Sequence, residues 1–365
     1  MKNMNFGRAN RKDFRAVMKK QKTILLLFFI FLTACTPQFD RQVMLGNVAN
    51  AVILPAHKTF VAETAILDAQ ANAFVAAPSA ESLAVLQDAW LNATLAWKKV
   101  ELYSFGETML LHTSIEKRPA NDKFIEEFIA TEPQIDEVFI EGIGSTAKGL
   151  PAIEYLIFDS DGDTARLLER FADSQRGAYL TALTAYLHTR AEALYAYWSP
   201  GGGNYVQTFT EAASDGTDLQ GSISLLANEL IALNEMLIRD KIGRPLGKSS
   251  YGDPHPEFAE SYLSGHSLEL AIANVEAMQM AFHAGLDEYL VFLGGQVLAE
   301  QISTQFDTTL SDLRAIDVPL EEAVLTQPEK VERAYESLRS LLTLFKTDMV
   351  NQLGITITFN DNDGD

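Results

Sequence analysis

A histidine and a glutamate stand three residues apart at His266 and Glu269, and another glutamate, Glu154, lies in an apolar stretch. Residues three apart in a helix face the same side, so this imidazole and carboxylate can share a cation or a proton. A carboxylate among apolar neighbours is costly to bury alone, so Glu154 needs a cation, a hydroxyl or backbone N–H groups as partners. These side chains are the first candidates for binding chemistry.

Several catalytic patterns are missing from the sequence. The six histidines include no His-Glu-x-x-His pair, which excludes the helix-borne zinc site of that protease class. Residues 265–269 (GHSLE) begin like the nucleophile turn of serine hydrolases but lack its closing glycine. We therefore assign no catalytic residue.

The first 34 residues have the pattern of a lipoprotein export signal. Basic residues precede an apolar run at 24–32, which is too short to span a bilayer but suits a signal-peptide core. The small residues LTA precede Cys35, the only cysteine, as in a bacterial lipobox. We expect residues 1–34 to be removed and Cys35 to be acylated, which would anchor the protein to a membrane. The alternative is an ordinary secretory signal with an incidental cysteine.

The residue after Cys35 and the net charge of the chain indicate the location of the protein and the partners to expect. Thr36 follows the cysteine in place of aspartate, which favours the periplasmic face of the outer membrane, with the cell surface as the alternative. The chain carries a formal charge of −20, and without residues 1–34 it has 21 basic and 48 acidic residues, a charge of −27. This sign argues against nucleic acid as a partner and is compatible with a metal cation. A solubilised acidic surface is the simpler explanation.

Apolar residues recur at helical spacing along most of the chain. The stepping of three and four predicts one helix at 218–241 and another from Pro328 to Gly354. Further helices are predicted at 39–76, 79–103, 121–130, 163–200 and after 264. Pro55 is expected to kink the first of these. Only residues 355–359 alternate like a short strand.

A glycine-rich run divides the chain near its midpoint. Proline and three glycines at 199–204 (SPGGGN) cannot continue either neighbouring helix, so this run is the predicted linker. We predict an all-α protein with two helical-bundle halves, residues 35–200 and 201–365, arranged as a pseudo-duplication around a shared cleft.

Seven stretches, in this order, resemble the imelysin-like family of bacterial periplasmic lipoproteins. They are NVANAVILPAHKTF (47–60), AWLNATLAWKKVELYSFG (89–106), KRPAND (117–122), GLPAIEYLIF (149–158), RDKIGRPLG (239–247), ESYLSGHSLELAIANV (260–275) and LGITITFNDNDGD (353–365). The resemblance implies an all-helical fold of two bundle-like halves with a site where they meet. It also implies a link to iron acquisition or metal handling, and a peptidase label.

The family motif GxHxxE is incomplete in this chain. Gly149 and Glu154 match it, but Pro151 stands where the motif has histidine. Proline offers neither a ligand atom nor a titrating group, so a peptidase or metal centre built on that pair cannot operate here. Glu154 as a helix cap or buried hydrogen-bond acceptor is the structural alternative.

If the halves face each other, Glu154 and His266 meet across the cleft and are the candidate metal ligands. The predicted cleft residues are Gly149, Glu154, Glu101, Trp97, Ser264, Gly265, His266 and Asn274. Trp97 in core packing and His266 in a structural hydrogen bond are the alternatives.

We therefore expect a lipid-anchored periplasmic imelysin-like binding protein, associated with uptake of iron or another metal and without demonstrated catalysis. The alternatives are a peptidase of the imelysin type and a non-catalytic interaction module for an outer-membrane transporter or receptor. A metal cation such as iron, or a small ligand, is the expected bound species.

Overall fold

Helices make up almost all of the regular structure in the described part of the chain, which is Met1 and residues 39–104, 106–211 and 221–357 of a computed structural model. These residues contain no strand, and the all-α prediction is confirmed. The strand expected at 355–359 is absent from 355–357, where a lone strand would have no partner for its backbone, and its last two residues lie outside the described ranges.

Between residues 39 and 198, the described residues form nine α-helices. They are α1 (Arg41–Asn47), α2 (Leu54–Ala76), α3 (Ala80–Val100), α4 (Met109–Ile115), α5 (Asp122–Thr131), α6 (Glu137–Gly142), α7 (Gly149–Ile157), α8 (Thr164–Arg170) and α9 (Ser174–Trp198). Short 3₁₀ turns lie at Glu101–Tyr103, Gly106–Thr108 and Ser145–Ala147.

The second part continues in the same way. Its α-helices are α10 (Tyr205–Glu211), α11 (Ser222–Met236), α12 (Ser267–Ala281), α13 (Asp287–Phe292), α14 (Gln296–Arg314), α15 (Leu320–Thr326), α16 (Pro328–Thr343) and α17 (Val350–Leu353). A 3₁₀ turn lies at Pro256–Phe258, and π-helical stretches at Val48–Ile53, Leu237–Gly243, Phe282–Leu286 and Leu344–Met349.

Local sequence signals determine where helix α3 begins and how it ends. Ser79 caps it with a reciprocal pair: the Ser79 hydroxyl accepts from the Ser82 N–H at 3.1 Å, and the Ser82 hydroxyl accepts from the Ser79 N–H at 3.0 Å. After Val100 the chain continues directly into the 3₁₀ turn Glu101–Tyr103. Lys98 and Glu101 are therefore one turn apart and face the same region.

Pro55 lies at the start of α2, directly after the π-helical stretch Val48–Ile53. A proline in a helix removes one backbone donor, and the chain accommodates this with the wider π turn instead of ending the helix. The helical segment therefore runs from Arg41 to Ala76 as α1, the π stretch and α2.

An apolar core is built from α2, α3, α7 and α9. Trp90 and Trp97 on α3 are both buried in it, beside Phe60 and Phe74 of α2. The indole N–H of Trp90 donates to the Leu150 carbonyl at 3.0 Å, which fixes the first turn of α7 against α3. This core holds α7 and the end of α3 in place, and both carry the charged residues described below.

The predicted linker forms a turn between α9 and α10. Gly203 donates to the Ala196 carbonyl at 2.8 Å, and Asn204 has a positive φ of 54°. The described residues from Arg41 onward form one compact unit. The division into halves at residue 200 stays a prediction.

Candidate functional site

Glu154 is buried on α7, and its hydrogen-bond partners come from distant parts of the sequence. Its Oε1 accepts from the backbone N–H of Ser264 at 3.2 Å and from that residue's hydroxyl at 2.9 Å. Its Oε2 accepts from Arg118 Nη1 at 2.7 Å and from the Ser261 hydroxyl at 3.3 Å. The regions around residues 154 and 264 thus meet, and both carboxylate oxygens are engaged.

Gly149 and Pro151 form the first turn of the same helix. Gly149 has a φ of +77°, and a Cβ on it would lie 2.1 Å from the Ile115 carbonyl oxygen, so no larger residue fits. Gly149 therefore acts through its backbone. Pro151 is buried in the third position of α7, where an N–H would have no helical partner, so its missing donor costs little.

The ammonium group of Lys98 lies among three carboxylates. Its Nζ is 2.6 Å from Glu116 Oε2, 2.7 Å from Glu260 Oε1 and 3.3 Å from Glu101 Oε2. The Lys98 side chain has no exposed surface. A buried lysine is held charged only by such compensation, so the three carboxylates are the reason that it can lie here.

A second ammonium group, that of Lys241, joins the same carboxylates from the π stretch after α11. Its Nζ lies 3.2 Å from Glu101 Oε2 and 3.1 Å from Glu260 Oε1, and it donates to Asn274 Oδ1 at 2.6 Å. The Asn274 amide in turn donates to Glu101 Oε2 at 2.8 Å and to the Lys98 carbonyl at 3.2 Å. Lys241 is therefore a buried member of this group of charges.

Arg118 connects this group to Glu154. Its Nε donates to Glu116 Oε1 at 2.9 Å, and its Nη1 donates both to Glu154 and to the Glu260 backbone carbonyl. Its Nη2 is buried without a hydrogen-bond partner among the described residues, as is Glu260 Oε2. The Arg118 side chain is 17% exposed, the largest exposed fraction among these ion-paired side chains, although its Nη2 atom is buried.

Trp97 also contributes to the network. Its indole N–H donates to Glu116 Oε2 at 2.5 Å, while its rings pack against Phe60 and His112 with centroid separations of 5.4 Å and 4.8 Å. The tryptophan is therefore both a core residue and a direct contact of the site. We call the group the ion network and define it as Lys98, Glu101, Glu116, Arg118, Glu154, Lys241, Glu260 and Asn274.

The opposite charges in the ion network offset the effect of burial on one another's pKa values. Burial alone would raise the pKa of Glu116, but the charges of Lys98 and Arg118 outweigh burial and hold that pKa well below its usual value. The pKa of Glu260 is likewise lowered, by Lys241 and Lys98 against the effect of burial. The pKa of Lys98 is raised by its carboxylates against a burial effect that would lower it. These groups therefore stay ionised at neutral pH.

The fit of a metal ion can be judged from the donor atoms. One oxygen each from Glu101, Glu116 and Glu260 lie within 4.8 Å of one another, as a metal site requires. The Lys98 ammonium, however, lies in hydrogen-bond or ion-pair contact with all three. A resident metal at the triad does not fit this arrangement, because it would have to displace a cation that the carboxylates already hold.

His266 lies beside this site but binds other partners. Its Nδ1 is 3.0 Å from Glu269 Oε2, and its ring centroid is 6.4 Å from that of Phe158. It holds the N-cap position of α12, directly after Gly265, whose φ is 73°. Among the described residues no hydrogen bond joins His266 to Glu154, so the structure does not bring the two predicted metal ligands together. Arg118, a permanent cation, is the charged partner of Glu154 instead.

Sequence reasoning missed six members of the site. They are Lys98, Glu116, Arg118, Lys241, Glu260 and Ser261. Five of the six lie inside stretches that carry the family resemblance, at 89–106, 117–122, 239–247 and 260–275. For Lys98 the available signal was a charged residue inside an otherwise apolar matched stretch, because a charge there needs an opposite charge nearby.

The fold and the ion network define an all-helical protein with an internal ionic site. The family model for imelysin, a peptidase family by its name, matches residues 53–345. The chain belongs to the imelysin family. No curated protein matches it.

Two solved structures share the fold. An imelysin-like protein from Psychrobacter arcticum 273-4 is 20% identical, with a TM-score of 0.74 over 88% of this chain and 97% of that one. A putative iron-regulated protein A precursor from Parabacteroides distasonis ATCC 8503 is also 20% identical, with a TM-score of 0.72 and the same coverage. At this identity the likeness shows the fold alone.

The predicted signal and Cys35 lie outside the described residues. Within the described part of the chain, no helix has the length and apolar character needed to cross a bilayer.

Proposed function

We propose that this chain is an exported, lipid-anchored imelysin-like protein that binds a metal complex during metal acquisition and does not cleave peptides. Iron is the first candidate metal. The metal is cargo in this proposal and not a resident cofactor, because Lys98 already occupies the place between the three carboxylates.

The observation that carries the proposal is the ion network itself. It buries three cationic side chains against four carboxylates and joins the segments around 98–118, 154 and 241–274. Among the described residues, Arg118 Nη2, a donor, and Glu260 Oε2, an acceptor, are buried without a hydrogen-bond partner. A ligand that offers an oxygen acceptor to Arg118 suits this part of the network better than a bare cation does. We infer that the metal arrives bound to an oxygen-rich anionic chelator.

The same geometry disfavours peptide cleavage. A general base needs a pKa near the working pH and a free lone pair aimed at substrate, whereas Glu154 has both oxygens engaged by Arg118 and serine donors. Pro151 removes the motif imidazole. Neither a base nor a metal-bound water is thus available at the motif position.

Two further parts of the proposal concern location and partners. The pattern before Cys35 supports anchoring at the periplasmic face of the outer membrane through acyl chains. The name of the Parabacteroides distasonis relative, a putative iron-regulated protein A precursor, supports a place in iron acquisition. An outer-membrane transporter is then the expected partner.

Equilibrium dialysis of the full chain in detergent against ferric citrate tests the binding step. We expect one iron retained per chain in the wild type and at least a tenfold weaker retention in Arg118→Lys, which keeps the charge but loses the planar donor set. Arg314→Lys is the matched control, because Arg314 is an exposed arginine paired with Glu276 outside the network. Circular dichroism must show that both variants are folded.

Equal retention by Arg118→Lys, or none by the wild type, would reject the proposal. Hydrolysis of a protein substrate that disappears in Glu154→Gln would favour the peptidase alternative.

A growth experiment tests the location. In the source bacterium under iron limitation, deletion of the gene should slow growth, and a gene copy that carries Cys35→Ser should fail to restore the growth rate. Full rescue by Cys35→Ser would contradict lipid anchoring, and co-purification with a transporter in the absence of metal binding would favour the interaction module.

A further inference from the structure

A serine, a histidine and an aspartate outside the ion network are joined in a row by hydrogen bonds. His283 Nδ1 lies 2.8 Å from Asp287 Oδ2, and His283 Nε2 lies 3.3 Å from Ser303 Oγ. His283 belongs to the π-helical stretch Phe282–Leu286, a kind of wide turn that is frequent at functional sites, and Ser303 lies on α14. Helix α14 packs against the helices on both sides of that stretch, α12 and α13, which brings the serine to the imidazole.

The position of each proton follows from what the partners can accept. An ionised carboxylate only accepts, so His283 carries its hydrogen on Nδ1 and has its lone pair on Nε2. The hydroxyl of Ser303 therefore donates to Nε2. The other oxygen of Asp287, Oδ1, accepts from the backbone N–H of Glu288 at 2.8 Å, which holds the carboxylate in place. This order of bonds activates a serine nucleophile, because the imidazole can take the hydroxyl proton and the aspartate fixes the imidazole.

The hydroxyl of Ser303 has a different partner from those of its neighbours on α14. Thr304 and Thr308 donate to the backbone carbonyls four residues earlier, at 2.8 Å and 2.9 Å, as hydroxyls inside helices commonly do. Among the described residues, the Ser303 hydroxyl bonds His283 alone. Ser303 is partly exposed and the His283 side chain is 39% exposed, so a substrate can reach both. Such a bond is often long in a ligand-free site and shortens when substrate binds.

An open groove between α12 and α14 adjoins these residues. Gln279 precedes His283 by one helical turn, and Asp307 follows Ser303 by one turn. Gln279 Nε2 donates to Asp307 Oδ1 at 2.9 Å, so the two helices are joined by a second hydrogen bond beside the first. Gln279 and Asp307 both line the groove, which has a volume of about 780 Å³. The groove therefore begins one turn from the serine hydroxyl.

The lining of the groove indicates what it can hold. Met280 and Leu310 supply apolar surface, and the volume falls within the range of small-molecule sites, roughly 300 to 1,000 Å³. An amide nitrogen carries two hydrogens, and the second N–H of Gln279 has no partner among the described residues. Glutamine side chains are among the donors that stabilise the oxyanion in acyl transfer. A substrate with an apolar acyl group in the groove can thus place its carbonyl oxygen at Gln279.

We propose that Ser303, His283 and Asp287 form a nucleophilic site that hydrolyses carboxylic esters with a small apolar acyl group. Ser303 Oγ attacks the ester carbonyl carbon and forms a new C–O bond, while the hydroxyl proton passes to His283 Nε2. The bond from that carbon to the alcohol oxygen then breaks, and the alcohol takes the proton from His283. Water attacks the acyl-serine with His283 again as the base, which gives the carboxylic acid and free Ser303.

The exposure of the site explains why esters are the substrate class. Gln279 supplies one oxyanion donor at a surface open to water, so the transition state receives less stabilisation than in an enclosed site. An alcohol leaves more easily than an amine, so an ester needs less stabilisation than a peptide bond. The site shares no residue with the ion network, and it stands or falls separately from the proposed function.

The test uses the full chain carrying Cys35→Ser, which removes the only thiol, purified in detergent. A serine-reactive fluorophosphonate should label the folded protein, and mass spectrometry of its peptides should place the label on Ser303. Hydrolysis of 4-nitrophenyl butyrate is followed by absorbance. We expect kcat/KM to fall at least about 100-fold in Ser303→Ala and in His283→Gln. Ferric citrate retention should be unchanged in Ser303→Ala.

Asp287 acts through His283, so its role needs a separate measurement. Asp287→Asn should lower kcat at least about tenfold with KM unchanged, and Asp287→Glu should recover part of the loss, because a carboxylate again accepts from Nδ1. Gln279→Leu should also lower kcat by about tenfold or more.

Matched controls come from elsewhere on the surface. His255 is a partly exposed histidine that pairs with Glu257 at 3.0 Å, and His255→Gln tests for hydrolysis by an ordinary imidazole. Ser340 is an exposed serine whose hydroxyl donates to the Glu336 carbonyl, and Ser340→Ala is its counterpart. Both variants should keep the wild-type rate.

Absence of label on Ser303 in the folded wild type would overturn the proposal. Hydrolysis that persists in Ser303→Ala, or that falls equally in His255→Gln, would overturn it as well and would assign the rate to unspecific surface groups. The labelled position is determined on the wild-type residues, so it decides the question even if a variant fails to fold.

Discussion

Arg118 and Glu154 are joined by a 2.7 Å hydrogen bond between Nη1 and Oε2, although 36 positions separate them in the chain. The sequence predicts a histidine partner for Glu154, and the structure places the Arg118 guanidinium there. Its pKa is raised by Glu154 and Glu116 even though burial alone would lower it, so it is a permanent cation. The site therefore pairs a carboxylate with a fixed charge in place of a titrating imidazole.

This pair gives a stability prediction. Glu154→Gln removes one carboxylate from Arg118 and should lower the free energy of unfolding by about 2 to 4 kcal/mol, because breaking a largely buried pair leaves one charge uncompensated. Urea unfolding followed by circular dichroism measures the change. Glu269→Gln is the control, because its side chain is 55% exposed, and it should change stability by less than about 0.5 kcal/mol. Equal effects of the two variants would contradict a structural role for the Arg118–Glu154 pair.

Removal of Lys98 should allow a metal cation to replace its ammonium group among the three carboxylates. Lys98→Ala should destabilise the protein by about 3 to 5 kcal/mol, since three carboxylates lose their ammonium partner. Millimolar Ca²⁺ or Mn²⁺ should then recover about 2 to 3 kcal/mol by binding the Glu101–Glu116–Glu260 triad, if the ion is present at about 100 times its dissociation constant. Thermal melts with and without the ion provide the measurement.

The matched control for that experiment is Lys99→Ala, the next residue on the same helix, which has no ion pair among the described residues. Neither Lys99→Ala nor the wild type should gain stability from the ion. A similar gain in all three proteins would show that the ion acts elsewhere on the acidic surface.

His57 predicts a pH dependence of known sign. Its folded pKa of about 4 lies below the ordinary 6.5, so the unfolded chain binds a proton first as the pH falls. Stability is therefore lost between about pH 6.5 and 4, by roughly 3 kcal/mol for this one group. His57→Phe should be free of that loss.

Urea unfolding at pH 7.5, 6, 5 and 4, with a chelator to keep metals away, checks the effect. Burial also lowers the pKa of His112, to about 3, so His112 adds a loss between about pH 6.5 and 3 that remains in the variant and makes its slope smaller but not zero. The lowered pKa values of Glu116 and Glu260 add a further loss below their ordinary 4.5, which also remains. His283→Phe, at an exposed histidine, should keep the wild-type profile. An unchanged slope between pH 6.5 and 4 in His57→Phe would refute the assignment of that slope to His57.

A comparison of two glycines distinguishes the cost of backbone strain from the cost of steric crowding. Gly149 and Gly162 both have positive φ, at 77° and 69°, but a Cβ meets the Ile115 carbonyl at 2.1 Å in the first case and nothing within 4 Å in the second. Gly162→Ala should cost about 1 to 2 kcal/mol, the price of the left-handed conformation alone. Gly149→Ala should cost at least about 2 kcal/mol more, because α7 must move away from α4. Urea midpoints that agree within error would contradict this role of Gly149.

The sequence by itself determined the helices, because apolar spacing, caps and breakers act over a few residues. Asn121 caps α5 through a 3.1 Å bond from the Phe124 N–H, and Gly354 ends α17 in the left-handed conformation, as the pattern predicts. It also determined that Glu154 needs partners, since an apolar run cannot solvate a carboxylate.

Only the tertiary structure decided which partners those are. Lys98 and Glu260 are 162 positions apart, and nothing local marks them as a pair. The tertiary structure likewise placed Arg118 beside Glu154 and left His266 with its neighbour Glu269. Buried charges are satisfied by whichever opposite charges the packing of helices brings within reach, and that packing depends on the whole core.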